Sequence, residues 1–151
     1  MARKSRCTVE KQPPYEWRDF VQWDHPSVQD MGTWLSSLAP ADLADVQESM
    51  EALRQLAAGG EIEAGNEDEL GPCSVDPVIW ELKWTFFGQH IRQYHAEPTS
   101  HPDLLVALHM HTKPQDTSVP AVWLAVKEQQ DQEMSHAKLR YLAGGRSDWV
   151  S

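Results

Sequence analysis

The chain has no long hydrophobic run, little cysteine and a shortage of positive charge. None of its 151 residues belongs to an apolar stretch long enough for a membrane-spanning helix, which needs about 18 residues or more, so no span is expected. The opening segment, MARKSRCTVEKQ, is basic but lacks the apolar core of a secretory signal, and a cytoplasmic location is the expectation. There are only two cysteines, Cys7 and Cys73. They lie in polar, loop-like stretches without metal-ligand spacing to each other, which fits a reduced, unbridged pair. Lys and Arg number 13 against 23 Asp and Glu, for a formal net charge of −10. That balance argues against broad non-specific binding to nucleic acid, which depends on neutralising phosphates. No internal repeat is visible.

What is present suits one compact domain, with 40% hydrophobic residues. Residues 1–14 read as a flexible basic arm, 15–143 as the folded domain and 144–151 as a tail. The segment GGEIEAGNEDELG, 59–71, holds five carboxylates and no base, the pattern of a solvated loop punctuated by glycine. YEWRDFVQWD alternates like a strand. HPSVQDMGTWLSSLAP places Val28, Met31, Trp34, Leu35 and Leu38 at helical steps. In ADLADVQESMEALRQLAAGG, Leu43, Val46, Met50, Leu53 and Ala57 form a stripe that Leu56 widens. Pro40 opens this helix, Asp42 and Asp45 suit its positive end, and Gly59–Gly60 closes it. The short link between the two helices predicts an αα-hairpin.

Three strands follow. In VIWELKWTFF, the apolar set Val78, Trp80, Leu82, Trp84 and Phe86 predicts a core face, leaving Glu81 and Lys83 outward. Gly88 starts a turn into HIRQYHAEP, where Ile91, Gln93 and His95 oppose Arg92 and Tyr94. In DLLVALHMHTK, strict alternation puts Leu104, Val106, Leu108 and Met110 on the core side and Leu105, Ala107, His109 and His111 on the other. A long helix from Pro120 to Gly144–Gly145 ends the chain, with an imperfect stripe of Trp123, Val126, Met134 and Leu142. The order β-α-α-β-β-β-α predicts an α+β fold with an antiparallel or mixed sheet.

Histidine carries the chemistry. Five of seven lie between His90 and His111. His109 and His111 are two apart, so a strand gives them one face, and an imidazole there could act as general base or acid near neutral pH. With Arg92 and Lys113 nearby, a metal-free phosphodiester-cleaving site is one reading. Ordinary half-exposed strand histidines are another. A Zn²⁺ site is a third, its further ligand coming from His95, Glu81 or a cysteine, although no CxxC or HExxH spacing supports it. His90, His95 and His101 fall at turns or strand ends and read as ordinary. Trp17, Trp34, Trp80, Trp84 and Trp123 fit core positions; an exposed Trp23 or Trp149 could stack a base or anchor a partner.

VIWELKW, GQHIRQYHAEP, LLVALHMHTKPQDTSVPAV and HAKLRYL, in that order, resemble the RelE/ParE toxin superfamily, above all its phage-derived, HigB-like members. The likeness covers about residues 15–143. It implies a RelE-like fold and a toxin of a type II toxin–antitoxin module: an endoribonuclease that cuts mRNA, usually on the ribosome, and is held inactive by a helix-turn-helix antitoxin. The implied chemistry uses no metal or other cofactor. The RNA 2′-hydroxyl attacks the adjacent phosphate while Lys and Arg stabilise the added charge. By resemblance, Lys83 stands where the family has the arginine of Glu-Leu-Arg, Arg92 matches the arginine of the next strand, Lys113 the start of the basic loop, and Arg140 and Tyr141 the end of the last helix. The candidate catalytic residues are thus Arg92, His109, His111 and Lys113, and the candidate RNA contacts Lys83, Arg140 and Tyr141. The family loop carries two or more basic residues where HTKPQD has one. A non-catalytic binding protein of the same fold, or a metal-dependent hydrolase built on the histidine strand, are the alternatives.

Overall fold

Phe87 and Gly88, with φ of 49° and 79°, join the strands Ile79–Phe86 and Gln89–Ala96. Two successive left-handed residues are what a tight hairpin between twisted strands requires, and the glycine makes one of them cheap. This hairpin is the centre of a computed structural model that describes residues 4–8, 14–114 and 118–149. In chain order the elements are a 3-10 turn (Arg6–Thr8), β1 (Glu16–Asp19), α1 (Pro26–Ser36), α2 (Pro40–Ala58), β2 (Leu70–Pro72), β3 (Ile79–Phe86), β4 (Gln89–Ala96), β5 (Leu104–Pro114) and α3 (Pro120–Gly145). The strands form one mixed sheet in the order β1-β5-β4-β3-β2, with β1 parallel to β5 and the other pairs antiparallel. The α+β architecture with an N-terminal strand, two helices and a C-terminal helix is present. The three-residue β2 lies in the segment expected to be loop, too short to alternate visibly. Among the described residues, no helix is long and apolar enough to cross a membrane.

Proline opens all three helices, where its missing N–H costs nothing. α1 and α2 cover one face of the sheet. Val28, Met31, Val46, Leu53 and Ala57 pack there on Trp80, Leu82, Trp84, Ile91, Leu105, Ala107 and Met110. α3 covers the other face through Ala137, Met134 and Tyr141, against Ile79, Tyr94, Ala96, Leu104, Val106 and Leu108.

Several expectations are corrected. The sheet is buried on both faces, so Glu81 is buried and Lys83 half-buried instead of facing out. The exposure of α3's outer side leaves Trp123 49% and Leu142 56% accessible, not in the core, and Leu56 of α2 is 39% accessible. At the N-terminus, Cys7 is fully buried, and the Arg6 guanidinium donates to the carbonyls of Pro98, His101 and Leu104. That part of the expected arm is therefore docked; residues 1–3 and 9–13 lie outside the described ones. Trp149 of the expected tail is also buried, its ring against Gly144, where any Cβ would overlap it.

The largest correction concerns β5. Tyr94 pairs with His109 but His95 pairs with Ala107, so Leu108 is an extra residue, a β-bulge. A bulge shifts the alternation by one. Leu108 and His109 consequently share the α3 side, His111 follows, and Met110 turns to the α1/α2 side. The two histidines are together as expected, but opposite Leu105 and Ala107 and buried at 0% and 1% exposure.

Candidate functional site

The sheet face under α3 collects polar groups from three adjacent strands. The register sets Lys83 opposite Arg92, Arg92 opposite His111, His90 opposite Lys113, and Tyr94 opposite both Glu81 and His109. Directly opposed residues have Cβ atoms roughly 5 Å apart and diagonal ones about 7–8 Å, so Lys83, Arg92 and Lys113 form one basic group. Arg92 is nearly buried. It donates to the carbonyls of Ile91 at 3.1 Å and Trp84 at 3.4 Å, while its Nε has no hydrogen-bond partner. Burial pushes its pKa down, partly offset by Glu81. Lys113 is lowered by burial and then by Arg92, and its ammonium donates to Gln130 Oε1 of α3 at 2.8 Å. The Lys83 ammonium donates to the Glu67 carbonyl at 2.8 Å and lies 3.7 Å from Glu81 Oε1.

His90 joins this group. Its Nδ1 is 2.8 Å from Thr85 Oγ1, and its pKa is lowered by burial, Arg92 and Lys113, which keeps the imidazole neutral near pH 7. Sequence reading set His90 aside as a turn residue, because its opposition to Lys113 depends on strand register. His90 and Lys113 border a cleft of about 160 Å³, with Trp123, Val126, Lys127 and Gln130 of α3 as its other wall. The Lys127 ammonium lies 5.4 Å from the centre of the exposed Trp123 ring. A cleft with two lysines, a neutral histidine and an exposed aromatic can take a phosphate beside a stacked base.

His109 and His111 lie deeper, below α3. The Tyr94 hydroxyl is 2.9 Å from His111 Nε2, and Glu133 Oε2 is 3.4 Å from both His109 Nε2 and His111 Nδ1. Burial holds His111 at about 4 and pushes the Tyr94 phenol far up, so both are neutral at pH 7. Neither His109 nor His111 has the exposure to meet a polymer substrate directly. Arg140 and Tyr141 stand apart, one helix end away: the Arg140 guanidinium donates to the Phe20 carbonyl at 2.8 and 3.1 Å and lies over the Phe20 ring, while Tyr141 stacks on Trp149. The structure thus brings Lys83, Arg92 and Lys113 together, places His109 and His111 behind them, and gives Arg140 and Tyr141 packing contacts.

A separate buried trio lies on the other face. Cys7 Sγ is 3.6 Å from His95 Nε2 and 3.5 Å from Glu97 Oε2, and His95 Nε2 is 2.9 Å from the same carboxylate oxygen. One ring nitrogen faces both partners, so the histidine cannot relay a proton between them. Burial, then Glu97, raises the Cys7 thiol well above its usual value, the opposite of an activated nucleophile.

Against protein-family models, curated proteins and solved structures, the chain finds no match.

Proposed function

We propose that the chain is a RelE/HigB-like toxin-family endoribonuclease, acting at the cleft between β4, β5 and the start of α3. One observation carries the proposal: in a protein of net charge −10, Lys83, Arg92 and Lys113 converge from three neighbouring strands, and Lys113 opens on a cleft walled by the exposed Trp123. Three cations share one carboxylate, Glu81, 3.7 Å from Lys83, and an anion would relieve the repulsion that remains. The element order and the quoted motifs add to it.

In the proposed reaction, Lys113 at the cleft holds the scissile phosphate, and Arg92, buried behind it, adds positive potential that stabilises the charge building on the phosphate oxygens. The 2′-oxygen attacks phosphorus, its proton passing to neutral His90, and the bond from phosphorus to the 5′-oxygen breaks. Lys113 returns a proton to that oxygen. The products are a 2′,3′-cyclic phosphate and a 5′-hydroxyl end. Trp123 stacks a flanking base, and Lys127 meets the next phosphate. In this scheme His109 and His111 support the face from behind.

The test is incubation of the purified chain with end-labelled mRNA, free and ribosome-bound. Cyclic-phosphate ends that disappear with Arg92→Ala and Lys113→Met are the expected result. Intact RNA in both settings, from protein that is folded, overturns the proposal. A second reading, a non-catalytic partner-binding protein, is favoured by the outer side of α3, where Leu124, Leu139 and Leu142 are 53%, 64% and 56% accessible. It predicts a stable complex with a partner, such as a helix-turn-helix antitoxin, and no RNA cleavage.

A further inference from the structure

Where β1 stops at Ala107's partner Asp19, the edge of β5 is open, and the start of α1 wraps round it. There His25 of the α1 cap meets His109 of β5 and Glu133 and His136 of α3. The His25 ring is 4.8 Å from that of His109 and 4.2 Å from that of His136, and the last two are 4.6 Å apart. Three imidazoles and a carboxylate therefore share one small space. They satisfy one another poorly: Glu133 Oε2 lies 3.4 Å from His109 Nε2 and, on its other side, from His111 Nδ1, without hydrogen-bond geometry to either. Both nitrogens of fully buried His109, Nε2 of His136 and Oε2 of Glu133 have no hydrogen-bond partner. Buried polar atoms are nearly always paired, and leaving one unpaired costs about 1–3 kcal/mol. Several in one pocket point to a missing ligand.

We infer that His25, His109 and Glu133, with His136 as the fourth donor, bind one divalent cation of the zinc class. One ligand atom from each of the first three lies within 4.8 Å of the others. His109 Nε2 and Glu133 Oε2 are 3.4 Å apart. Two atoms held at roughly 2.0–2.1 Å by one tetrahedral zinc are about 3.3 Å apart. Three imidazoles and one carboxylate suit zinc and its transition-metal neighbours, not calcium or magnesium. Ser27 Oγ donates to Glu133 Oε1 at 2.8 Å, which orients the carboxylate as outer partners of metal ligands do. Glu133 and His136 are three residues apart on a helix and so share a face.

His25 is the conditional ligand. Its Nδ1 accepts the Ser27 N–H at 3.1 Å, capping α1, so a neutral ring carries its proton on Nε2. Taking a cation at Nε2 requires the ring to shift its proton from Nε2 to Nδ1, and a protonated Nδ1 can no longer accept the cap bond from Ser27. The cation would link α1, β5 and α3, elements far apart in sequence, and would fix α3 over the sheet face. This site is separate from the proposed RNA cleft and is tested without RNA.

The experiment titrates the full-length chain, stripped of metal and free of any affinity tag, with Zn²⁺ alone by calorimetry and with Co²⁺ in the visible range. One ion per chain and a cobalt spectrum of nitrogen and oxygen ligands are expected. Affinity falls tenfold or more in Glu133→Gln and in half-buried His136→Asn, with circular dichroism confirming the fold. Cys7→Ser leaves binding unchanged. The inference is overturned by absence of stoichiometric binding, by full affinity in both variants, or by a sulfur-to-cobalt charge-transfer band lost in Cys7→Ser, which would place the ion at Cys7, His95 and Glu97. If either variant fails to fold, the cobalt spectrum of the unaltered chain decides between the two clusters.

Discussion

The two faces of the sheet are built from the same three strands and do different work. Under α1 and α2, Trp80, Leu82, Trp84, Ile91, Leu105 and Met110 make an apolar layer. Under α3, the intervening positions carry Glu81, Arg92, Tyr94, His109 and His111, mixed with Ile79, Val106 and Leu108. An apolar layer gains free energy by removing surface from water and asks little of geometry. A buried polar layer gains little and must satisfy each group, so its persistence in a small domain speaks for chemistry. The difference teaches where to look: the apolar layer is concentrated on the helical-hairpin side, interrupted there by Gln93 and the Cys7–His95–Glu97 trio, while the basic group and the paired histidines lie beneath a single helix.

The comparison breaks most sharply with Leu82→Ala. Leu82 is fully buried in the apolar layer, and losing it should cost about 2–5 kcal/mol of stability, measured by denaturant unfolding. On the other face, Arg92→Ala should lower RNA cleavage by about 10²–10³-fold, since positive potential at the developing charge is lost. Equal loss of activity in both variants at a temperature where both are folded would erase the distinction. Trp123→Ala should leave the melting temperature nearly unchanged and weaken single-stranded RNA binding by about 1–3 kcal/mol, read by fluorescence anisotropy.

The pH dependence of stability should come from the polar face. His111, held at about 4 by burial, is depressed below its unfolded value. Between the two values the unfolded chain binds more protons, so stability is complete above about 6.5 and falls as the pH drops toward 4. His136, also about 4 through burial and the neighbouring His109 and His25, acts in the same direction. The slope from His111 is at most about 1.4 kcal/mol per pH unit, and His111→Asn should flatten the unfolding midpoint across that window. The smallest effect is that of Tyr94→Phe, which removes the 2.9 Å contact to His111 Nε2 and should cost about 1 kcal/mol. A loss as large as that of Leu82→Ala would mean that the polar face also carries the fold.

Much of the fold was legible because its signals are local. Pro40 and Pro120 mark helix starts, Gly59 and Gly145 helix ends, and Gly88 a hairpin. The alternation of Trp80, Leu82 and Trp84 correctly found the α1/α2 side. It could not show that the opposite side is buried too, because Glu81 and Lys83 read as solvated until α3 is placed over the sheet. The candidate site was legible in part. Arg92 and Lys113 were named in advance, whereas His90 was not, since nothing local says which residue opposes Lys113. Trp123 fits a helical stripe equally well whether the stripe faces the core or water.

The sequence by itself determined the order of the longer elements, without the short β2, together with the turns, the apolar hairpin side and the pairing of His109 with His111 on one face. Those follow from backbone preference and from a period of two or about 3.6 residues. Only the tertiary structure decided which face the histidines take. One extra residue at Leu108, just past the end of the β1 pairing, shifts the alternation, and that register is a relation among segments distant in the chain. The same long-range fit brings His25, His109, Glu133 and His136 together from three elements, which no spacing along the chain announces.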